Sequence, residues 1–298
     1  MKIGYPCINW TIGCKGDRTF RLKSYSKKRL IETVENNLNC LSTMLNFNIK
    51  NNLLFFRITS DLIPFASHPI CKFRWQKYFK NEFEEIGKTI RQNEIRISMH
   101  PDQFIVLNSK DPNIVRRSTA ELYYHAEVLD LMNLDKKAKI QLHVGGAYKN
   151  KKESLDRFAE NYKKLDERIK NRLVIENDDK IYSFKDCLNL NEKIKVPLLF
   201  DVFHHKVLNN KEPVKACLEK QSKTWDKKDG IPLIDYSTQK PGFKPGSHAE
   251  SIDLKDFESL LNESFPYDFD IMIEIKDKEY SALKAIKIAE KDNRFIRI

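Results

Sequence analysis

Leu173-Val174-Ile175-Glu176 is a short β-type apolar run that ends in a carboxylate. The same pattern recurs along the chain, and a side chain of metal-ligand type closes each run. The other runs are Ile97-Ser98-Met99-His100, Ile140-Gln141-Leu142-His143, Leu198-Leu199-Phe200-Asp201, Ile231-Pro232-Leu233-Ile234-Asp235 and Ile271-Met272-Ile273-Glu274. Such runs are typical of buried parallel strands, and α/β barrels and open α/β sheets keep their active sites at the carboxyl ends of their strands. The pattern therefore predicts a metalloenzyme with an α/β fold.

Strand-like runs alternate with amphipathic stretches along the whole sequence. The predicted strands are Lys2–Asn9, Leu53–Ser60, Arg96–His100, Lys139–Val144, Leu173–Asn177, Pro197–Val202, Pro232–Ser237 and Asp270–Ile275. The predicted helices are Lys28–Asn46, Trp75–Gln92, Ile114–Asn133, Ser154–Ile169, Ser183–Asn191, Pro213–Gln221, Leu254–Leu261 and Ser281–Glu290. Eight strands and eight helices favour a (β/α)8 TIM barrel, a single domain over residues 1–298 with its metal site at the C-terminal face of the strands. A doubly wound open sheet is the alternative, but it would place its ligands mainly at one switch point.

Length, hydropathy and charge restrict the class of protein. The 298 residues fit one α/β barrel, and no run is long and apolar enough for a membrane span. The N-terminal segment has no apolar signal core, so we expect a cytoplasmic protein. A net charge of +11 points to a polyanion such as nucleic acid. That support is mild, because Lys, Asn and Ile are abundant throughout, as a compositionally biased genome would produce.

The six cysteines form no C-x-x-C pair. This spacing argues against a zinc knuckle and against a thioredoxin-like motif. We therefore predict reduced and mostly buried thiols.

The strand-end residues predict a metal cluster. Imidazole and carboxylate together suit zinc or manganese, and neighbouring strand ends in a barrel lie only about 5 Å apart. Four of the strand-end residues are carboxylates, which would repel one another on one rim unless cations neutralised them. We therefore expect two or three ions, and paired cations activate a water nucleophile and stabilise the leaving oxygen of a phosphodiester.

A histidine at a strand end is, taken singly, more often a hydrogen-bonded core residue than a ligand. The recurrence at successive strands is what favours ligation by His100 and His143. His125 lies mid-helix between Tyr123 and Glu127, and we expect a structural role. His205 follows His204 directly, and neighbouring residues on an extended segment face opposite sides, so we expect His205 to point away from the site.

Three long strings are more specific than any of these spacings. They are Gly4-Tyr5-Pro6-Cys7-Ile8-Asn9, Arg57-Ile58-Thr59-Ser60-Asp61-Leu62-Ile63-Pro64-Phe65-Ala66-Ser67-His68-Pro69 and His100-Pro101-Asp102-Gln103-Phe104. At these strings the sequence resembles the UV damage endonucleases. The resemblance continues through Leu142-His143-Val144-Gly145-Gly146, Glu176-Asn177-Asp178 and the D-x-x-H of Asp201 and His204, so it covers most of the chain.

The resemblance implies a TIM barrel related to the endonuclease IV type of AP endonuclease. Such enzymes nick duplex DNA immediately 5′ to UV photoproducts, both cyclobutane dimers and 6-4 photoproducts. They use a cluster of three metal ions, usually manganese, and zinc, magnesium and cobalt are the other candidates. The implied ligands are His100, His143, Glu176, Asp201, His204, His248 and Glu274. Of these, Glu176, Asp201 and Glu274 would be catalytic, together with His68 at the scissile phosphate.

The resemblance also implies which residues touch DNA. Tyr5, Asn9, Gln103 and Phe104 match positions that probe the damaged bases and their partners. A crosslinked dipyrimidine is already poorly stacked, so shape and deformability suit its recognition, and stacking contributes about 1–3 kcal/mol per base. The expected partner is damaged double-stranded DNA, bound by a monomer away from any membrane.

One position departs from the family pattern. Several members carry Lys-x-His at the end of the seventh strand, with a modified, ligating Lys, where this chain has Leu233-Ile234-Asp235. Asp235 can replace His as a ligand, but Leu233 cannot replace Lys. The third ion would therefore be absent or held by fewer protein groups.

Three other functions remain open from the residues alone. A metal-dependent sugar isomerase would also gather Glu, Asp and His at barrel strand ends. A barrel that only recognises distorted DNA is a second alternative, although buried carboxylates without metal would be costly. A general AP endonuclease is the closest variant.

Overall fold

Eight short parallel strands form the centre of the fold in the computed structural model, which describes residues 1–297. Each strand pairs with the next in chain order, and the eighth pairs with the first. The strands are Ile3–Pro6 (β1), Phe55–Ile58 (β2), Arg96–Met99 (β3), Lys139–His143 (β4), Leu173–Glu176 (β5), Leu198–Asp201 (β6), Leu233–Tyr236 (β7) and Asp270–Ile273 (β8). The predicted TIM barrel is confirmed, and the closed sheet excludes the open-sheet alternative.

Helices connect the strands and cover the barrel. They are Lys27–Lys50 (α1), Trp75–Tyr78 (α2), Lys80–Gln92 (α3), Pro112–Leu131 (α4), Lys151–Lys163 (α5), Glu167–Lys170 (α6), Phe184–Ile194 (α7), Val202–Val207 (α8), Val214–Ser222 (α9), Leu254–Ser264 (α10) and Glu279–Ala289 (α11). Their starts follow ordinary capping chemistry. Ser26 accepts a hydrogen bond from the Arg29 amide before α1, and Asp111 caps α4 with Pro112 as its first residue.

Two predicted helices are divided, and one helix was not predicted. The predicted Trp75–Gln92 is interrupted at Phe79, and the predicted Ser154–Ile169 ends at Lys163 before α6 begins. The unpredicted helix is α8, which starts directly after β6. The Oδ1 atom of Asp201 accepts from the His204 amide at 2.7 Å, so this carboxylate caps the helix that follows it.

Apolar side chains form a layer in the barrel interior. Phe55, Val174, Leu199, Leu233 and Met272 form one buried cluster inside the ring of strands. This places Leu233 in a hydrophobic layer of the barrel interior. The polar side chains closer to the carboxyl ends of the strands therefore lie next to this apolar layer.

The prediction of reduced cysteines is wrong for one pair. Cys14 and Cys40 form a disulfide, while Cys7, Cys71, Cys187 and Cys217 are free thiols. The bond ties the segment between β1 and α1 to the middle of α1. The spacing could not predict this pair, because the two cysteines lie 26 residues apart and meet only when the long loop folds back over the helix.

The helices of residues 1–297 include none that is long and apolar enough to cross a membrane.

Candidate metal centre

Strand register brings the predicted ligands together in pairs. His143 on β4 lies opposite Glu176 on β5, and Asp201 on β6 lies opposite Asp235 on β7. All strands run parallel, so these side chains emerge at the same end of the barrel. This is the end at which the sequence predicted a metal site.

Three groups of side chains are close enough to hold an ion. The groups are His100, His143 and Glu176; Glu176, Asp201 and His204; and Asp201, Asp235 and Glu274. Within each group the candidate ligand atoms lie within 4.8 Å of one another. Glu176 belongs to the first two groups and Asp201 to the last two, so the groups form one continuous cluster.

Glu176 is the centre of the histidine-rich part of the cluster. Its carboxylate oxygens lie 3.3 Å from His100 Nε2, 3.6 Å from His143 Nε2 and 3.4 Å from His204 Nδ1. Burial alone would raise the pKa of Glu176, but the three histidines hold that pKa well below its ordinary value. Glu176 is therefore ionised at neutral pH and available as a ligand.

Asp201 and His204 are coupled through the first turn of α8. The Oδ2 atom of Asp201 lies 3.2 Å from His204 Nδ1. Burial raises the pKa of Asp201 to about 7, and the charges of Glu176 and Glu274 add to that rise. Burial would lower the pKa of His204, but Asp201 and Glu176 raise it to about 11. Without an ion, His204 is thus the positive charge that balances these carboxylates.

Two buried polar side chains that the sequence analysis missed also bind the carboxylates. Arg57 on β2 donates from Nη2 to both oxygens of Asp235 at 2.8 Å, and from Nη1 to Glu274. Gln141 on β4 donates from Nε2 to Glu176 and to Asp235, each at 2.8 Å. The sequence contained a pattern that could have identified both residues, because each interrupts an apolar strand. A polar group buried at such a position must have a hydrogen-bond partner.

Arg57 changes the electrostatics of the third group. Burial would raise the pKa of Glu274, but Arg57 lowers it to about 2. Burial raises the pKa of Asp235 well above its ordinary value; Arg57 opposes this rise, and the neighbouring carboxylates add to it. The guanidinium therefore neutralises part of the negative charge of the strand-end carboxylates. The sequence-based prediction had assigned that neutralisation to metal ions alone.

The donor set fits divalent ions. His143 Nδ1 and Asp201 Oδ2 are buried without a hydrogen-bond partner among residues 1–297. Buried polar atoms are rarely left unpaired, so Asp201 Oδ2, which forms an ion pair with His204 Nδ1 at 3.2 Å but no hydrogen bond, has capacity for a further ligand. His143 faces Glu176 through its other ring nitrogen, Nε2. Imidazole and carboxylate are also the ligands that zinc and manganese prefer. The first two groups fit best, because Arg57 occupies both oxygens of Asp235 in the third.

The other two predicted histidines lie outside the three groups. The ring of His248, in the loop after β7, lies 6.1 Å from that of His204, and its Nδ1 is 2.8 Å from the Glu274 carbonyl oxygen. His68 is exposed, and its Nδ1 accepts from the Ile70 amide at 3.1 Å. His248 therefore borders the cluster, whereas His68 is free to meet a substrate.

The predicted DNA-probing residues fall into two classes. Gln103 and Phe104 are exposed after β3, and the Phe104 side chain is 74% accessible. Tyr5 and Asn9 are buried. The hydroxyl of Tyr5 donates to Asn48 at 2.7 Å and accepts from Asn9 at 2.8 Å. Of these four residues, Gln103 and Phe104 are thus the two that the structure leaves accessible at the surface.

The two remaining histidines are structural. His125 is buried in α4 with Nδ1 2.8 Å from the Glu121 carbonyl oxygen, and burial lowers its pKa to about 4. His205 points away from the cluster, as predicted, and its Nε2 lies 2.9 Å from the Glu212 carbonyl oxygen. The reason given for His205 was wrong, because the segment is helical, and successive side chains on a helix diverge by about 100°.

Metal binding should release protons and tighten as the pH rises. At pH 7 the metal-free protein carries a proton on His204, whose pKa is about 11, and about half a proton on Asp201, whose pKa is about 7. Ligands bind ions in their deprotonated form. We therefore expect the Mn²⁺ affinity to increase between pH 6 and pH 8, as measured by isothermal titration calorimetry.

Titrations in two buffers with different ionisation enthalpies count the released protons. The variant His204→Asn should release about one proton fewer than the wild type at pH 7. A binding enthalpy that is the same in both buffers would show that neither ligand is protonated before the ion binds.

Comparison with known proteins gives matches over nearly the whole chain. The sequence pattern of the UV-endonuclease UvdE family matches residues 1–295. The UV DNA damage endonuclease of Clostridium perfringens is 40% identical over 296 residues, which are 99% of this chain and 72% of that protein.

Solved structures also match over nearly the whole chain. The crystal structure of SacUVDE has a TM-score of 0.94 and 46% sequence identity, and the match covers 99% of both chains. Endonuclease IV from Thermus thermophilus has a TM-score of 0.61 at 12% identity, covering 98% of both chains. At that identity the second likeness concerns the fold alone.

Proposed function

Because the chain belongs to the UV-endonuclease UvdE family, and is thus a DNA repair nuclease, we propose that it nicks duplex DNA immediately 5′ to UV photoproducts. The substrates would be cyclobutane dimers and 6-4 photoproducts. The observation that supports hydrolysis of a phosphodiester is the continuous cluster of His, Asp and Glu side chains at the carboxyl end of the barrel.

The ligands proposed for the metal centre are those of the two histidine-containing groups. His100, His143 and Glu176 would hold one ion, and Glu176, Asp201 and His204 a second. We propose His248, Asp235 and Glu274 as further ligands beside these two groups, with Asp235 and Glu274 shared between an ion and Arg57. Divalent ions, most simply Mn²⁺, supply a nucleophile at neutral pH by lowering the pKa of bound water, and they offset charge on the reacting phosphate.

The side chains around this set hold the ligands in place. Gln141 fixes the orientation of the Glu176 carboxylate, and Arg57 fixes those of Asp235 and Glu274. The backbone amide of His204 fixes Asp201. Partners of this kind orient metal ligands and tune their basicity. His68, exposed on the loop after β2, is the residue we propose for contact with the scissile phosphate.

Damage recognition is assigned to the loop after β3. Phe104 presents an exposed ring and Gln103 an exposed amide beside it. A ring inserted at a distorted step replaces part of the stacking that the lesion has weakened. Tyr5 and Asn9 hydrogen-bond to each other beneath the surface, so we propose that they act only if the DNA draws them out.

The reaction is tested with an end-labelled duplex that carries one defined thymine dimer, beside an undamaged duplex. We expect a single cut immediately 5′ to the dimer in Mn²⁺, lost when a chelator is added. Failure to cut in Mn²⁺, Zn²⁺, Mg²⁺ or Co²⁺ would overturn the proposal and favour a protein that only binds damaged DNA. Cutting at an abasic site alone would favour a general AP endonuclease.

Substitution of the exposed ring should weaken discrimination. We expect Phe104→Ala to lower affinity for the dimer duplex by about fivefold or more, the effect of losing stacking of about 1 kcal/mol. Affinity for undamaged duplex should change much less. Fluorescence anisotropy in EDTA measures both. Phe243→Ala, at a similarly exposed ring on another loop, is the control, and equal loss on both duplexes would leave Phe104 with no role in discrimination.

A further inference from the structure

A basic groove lies on the loops after β1 and β2, and none of its lining residues has a role in the proposed mechanism. It is a cavity of about 810 Å³, lined by eight residues around the start of α1 and around α2. Half of the lining is basic, and none of it is acidic. The four basic residues are Lys27, Lys72, Arg74 and Lys77. Its size is that of a small-molecule site.

The four cations of this groove have no ion-pair partner within residues 1–297. Their neighbours Lys28 and Lys80 form ion pairs with Glu32 and Glu84 on the same helices. Across residues 1–297, the groove cations form no such pair, and all four side chains are exposed. Clustered cations without partners repel one another and favour an anionic ligand.

Aromatic rings form the other part of the lining. Tyr25, Phe73 and Tyr78 border the groove, and the Tyr78 side chain is 50% exposed. The rings of Phe73 and Tyr78 lie 5.3 Å apart, and Lys27 Nζ lies 5.1 Å from the centre of the Phe73 ring. The groove thus places apolar faces beside positive charges. Proteins that bind single-stranded nucleic acid use this combination, with rings for the bases and cations for the phosphates.

The groove lies on the same side of the barrel as the metal cluster. Tyr25 and Lys27 follow β1 and the other six lining residues follow β2, so both segments leave the carboxyl ends of their strands. Ring contacts connect the groove to His68. Tyr25 lies 5.9 Å from Phe65, and Phe65 lies 6.2 Å from His68. From the scissile phosphate that we propose for His68, a DNA strand can therefore continue into the groove.

We propose that this groove binds unpaired nucleotides of a DNA strand that flanks the incision site. This inference rests on the proposed function and extends it by adding a subsite outside the metal centre. Unpaired nucleotides fit better than intact duplex, because the faces of bases in a duplex are already stacked and cannot lie on Tyr78 or Phe73. Lys27, Lys72, Arg74 and Lys77 contact the phosphates of the same strand.

The test measures the affinity for a short fluorescein-labelled oligothymidylate in EDTA. This binding requires neither a metal ion nor a lesion. The double variant Arg74→Glu, Lys77→Glu should lose about tenfold or more in affinity relative to the wild type, because phosphate contacts dominate such binding. Its matched control is Lys88→Glu, Lys284→Glu, which makes the same charge change at exposed positions on α3 and α11. Equal losses in both double variants would overturn the proposal and leave only general attraction by net charge.

The contribution of stacking is tested separately. Tyr78→Ala should weaken oligothymidylate binding by about fivefold or more. Tyr280→Ala removes a ring that is also 50% exposed but lies on α11 outside the groove, and it should have little effect. Similar effects of Tyr78→Ala and Tyr280→Ala would overturn the assignment of the rings.

Incision of the dimer duplex by the wild type distinguishes failure of the groove proposal from failure of the proposed function. If the wild type cuts but the groove and control variants bind oligothymidylate equally, the groove proposal fails and the proposed function stands. If the wild type binds oligothymidylate through the groove but does not cut, the proposed function fails, and the claim that the groove serves incision fails with it.

Discussion

Glu176→Gln should reduce incision of the dimer duplex by at least about 100-fold. Substitution even of the outer partners of metal ligands costs about 10–100-fold, and Glu176 is itself the candidate ligand shared by two groups. Its carboxylate lies between three histidines, and a neutral amide cannot supply the same charge to either ion. The measurements are the incision rate in Mn²⁺ and the manganese retained per protein after gel filtration.

The fold should survive this substitution. Gln has the shape of Glu, and its amide oxygen can still accept the hydrogen bond from Gln141. Circular dichroism of the metal-free protein should therefore match that of the wild type. Glu258→Gln, at an exposed position on α10, is the control and should cut normally. Incision by Glu176→Gln within threefold of the wild type would contradict the placement of the metal ions around this residue.

Arg57→Met should destabilise the metal-free protein by about 3–5 kcal/mol at neutral pH. Removal of one partner of a buried ion pair leaves its counter-charge uncompensated, and this cost is typical. Here the change leaves Asp235, which is fully buried, and Glu274 without their cation. The free energy of unfolding from urea titration measures the loss. Arg168→Met, which breaks an exposed pair with Asp130, should cost less than about 1 kcal/mol.

The loss in Arg57→Met should depend on pH in a defined direction. Without the guanidinium, burial and mutual repulsion raise the pKa values of Asp235 and Glu274 above those of the unfolded chain. The folded variant then binds more protons than its unfolded state, so its stability falls as the pH rises. We expect a larger deficit relative to the wild type at pH 8 than at pH 5. A constant deficit would show that packing, not charge, is responsible.

Manganese should compensate for the missing arginine. An ion that binds only the folded variant raises its stability in proportion to the logarithm of the ion concentration over Kd. If Arg57 occupies the position of a cation in the third group, Mn²⁺ should stabilise Arg57→Met more than the wild type. An equal effect of Mn²⁺ on both proteins would mean that the ion does not enter this group.

The sequence predicted the barrel because each strand carries its own local pattern. A run such as Leu173-Val174-Ile175 is apolar on both faces, as a strand buried between the barrel interior and the helices must be. The residue that ends the run, Glu176, then falls at the carboxyl end of its strand whatever the neighbouring strands are. Fold and candidate ligands were therefore accessible from local information.

Helix boundaries were predicted less well where a side chain from another element decides them. The sequence pattern predicts extended chain where the short helix α8 forms, although Asp201 caps this helix by accepting from the His204 amide. The same pattern predicts Asp201 only as a metal ligand at the end of a strand. Asp201 is both a helix cap and a candidate ligand, and the spacing D-x-x-H is compatible with either role.

The sequence by itself determined the barrel, the face that carries the site, and the residue types at each strand end. Only the tertiary structure decided which of these side chains touch. Arg57 and Gln141 come from β2 and β4 and meet Asp235 of β7 across the barrel, and Cys14 meets Cys40 through a folded loop. The physical reason is that strand patterns arise from burial, which is local, whereas charge pairing depends on closure of the barrel, which brings distant strands within hydrogen-bonding distance.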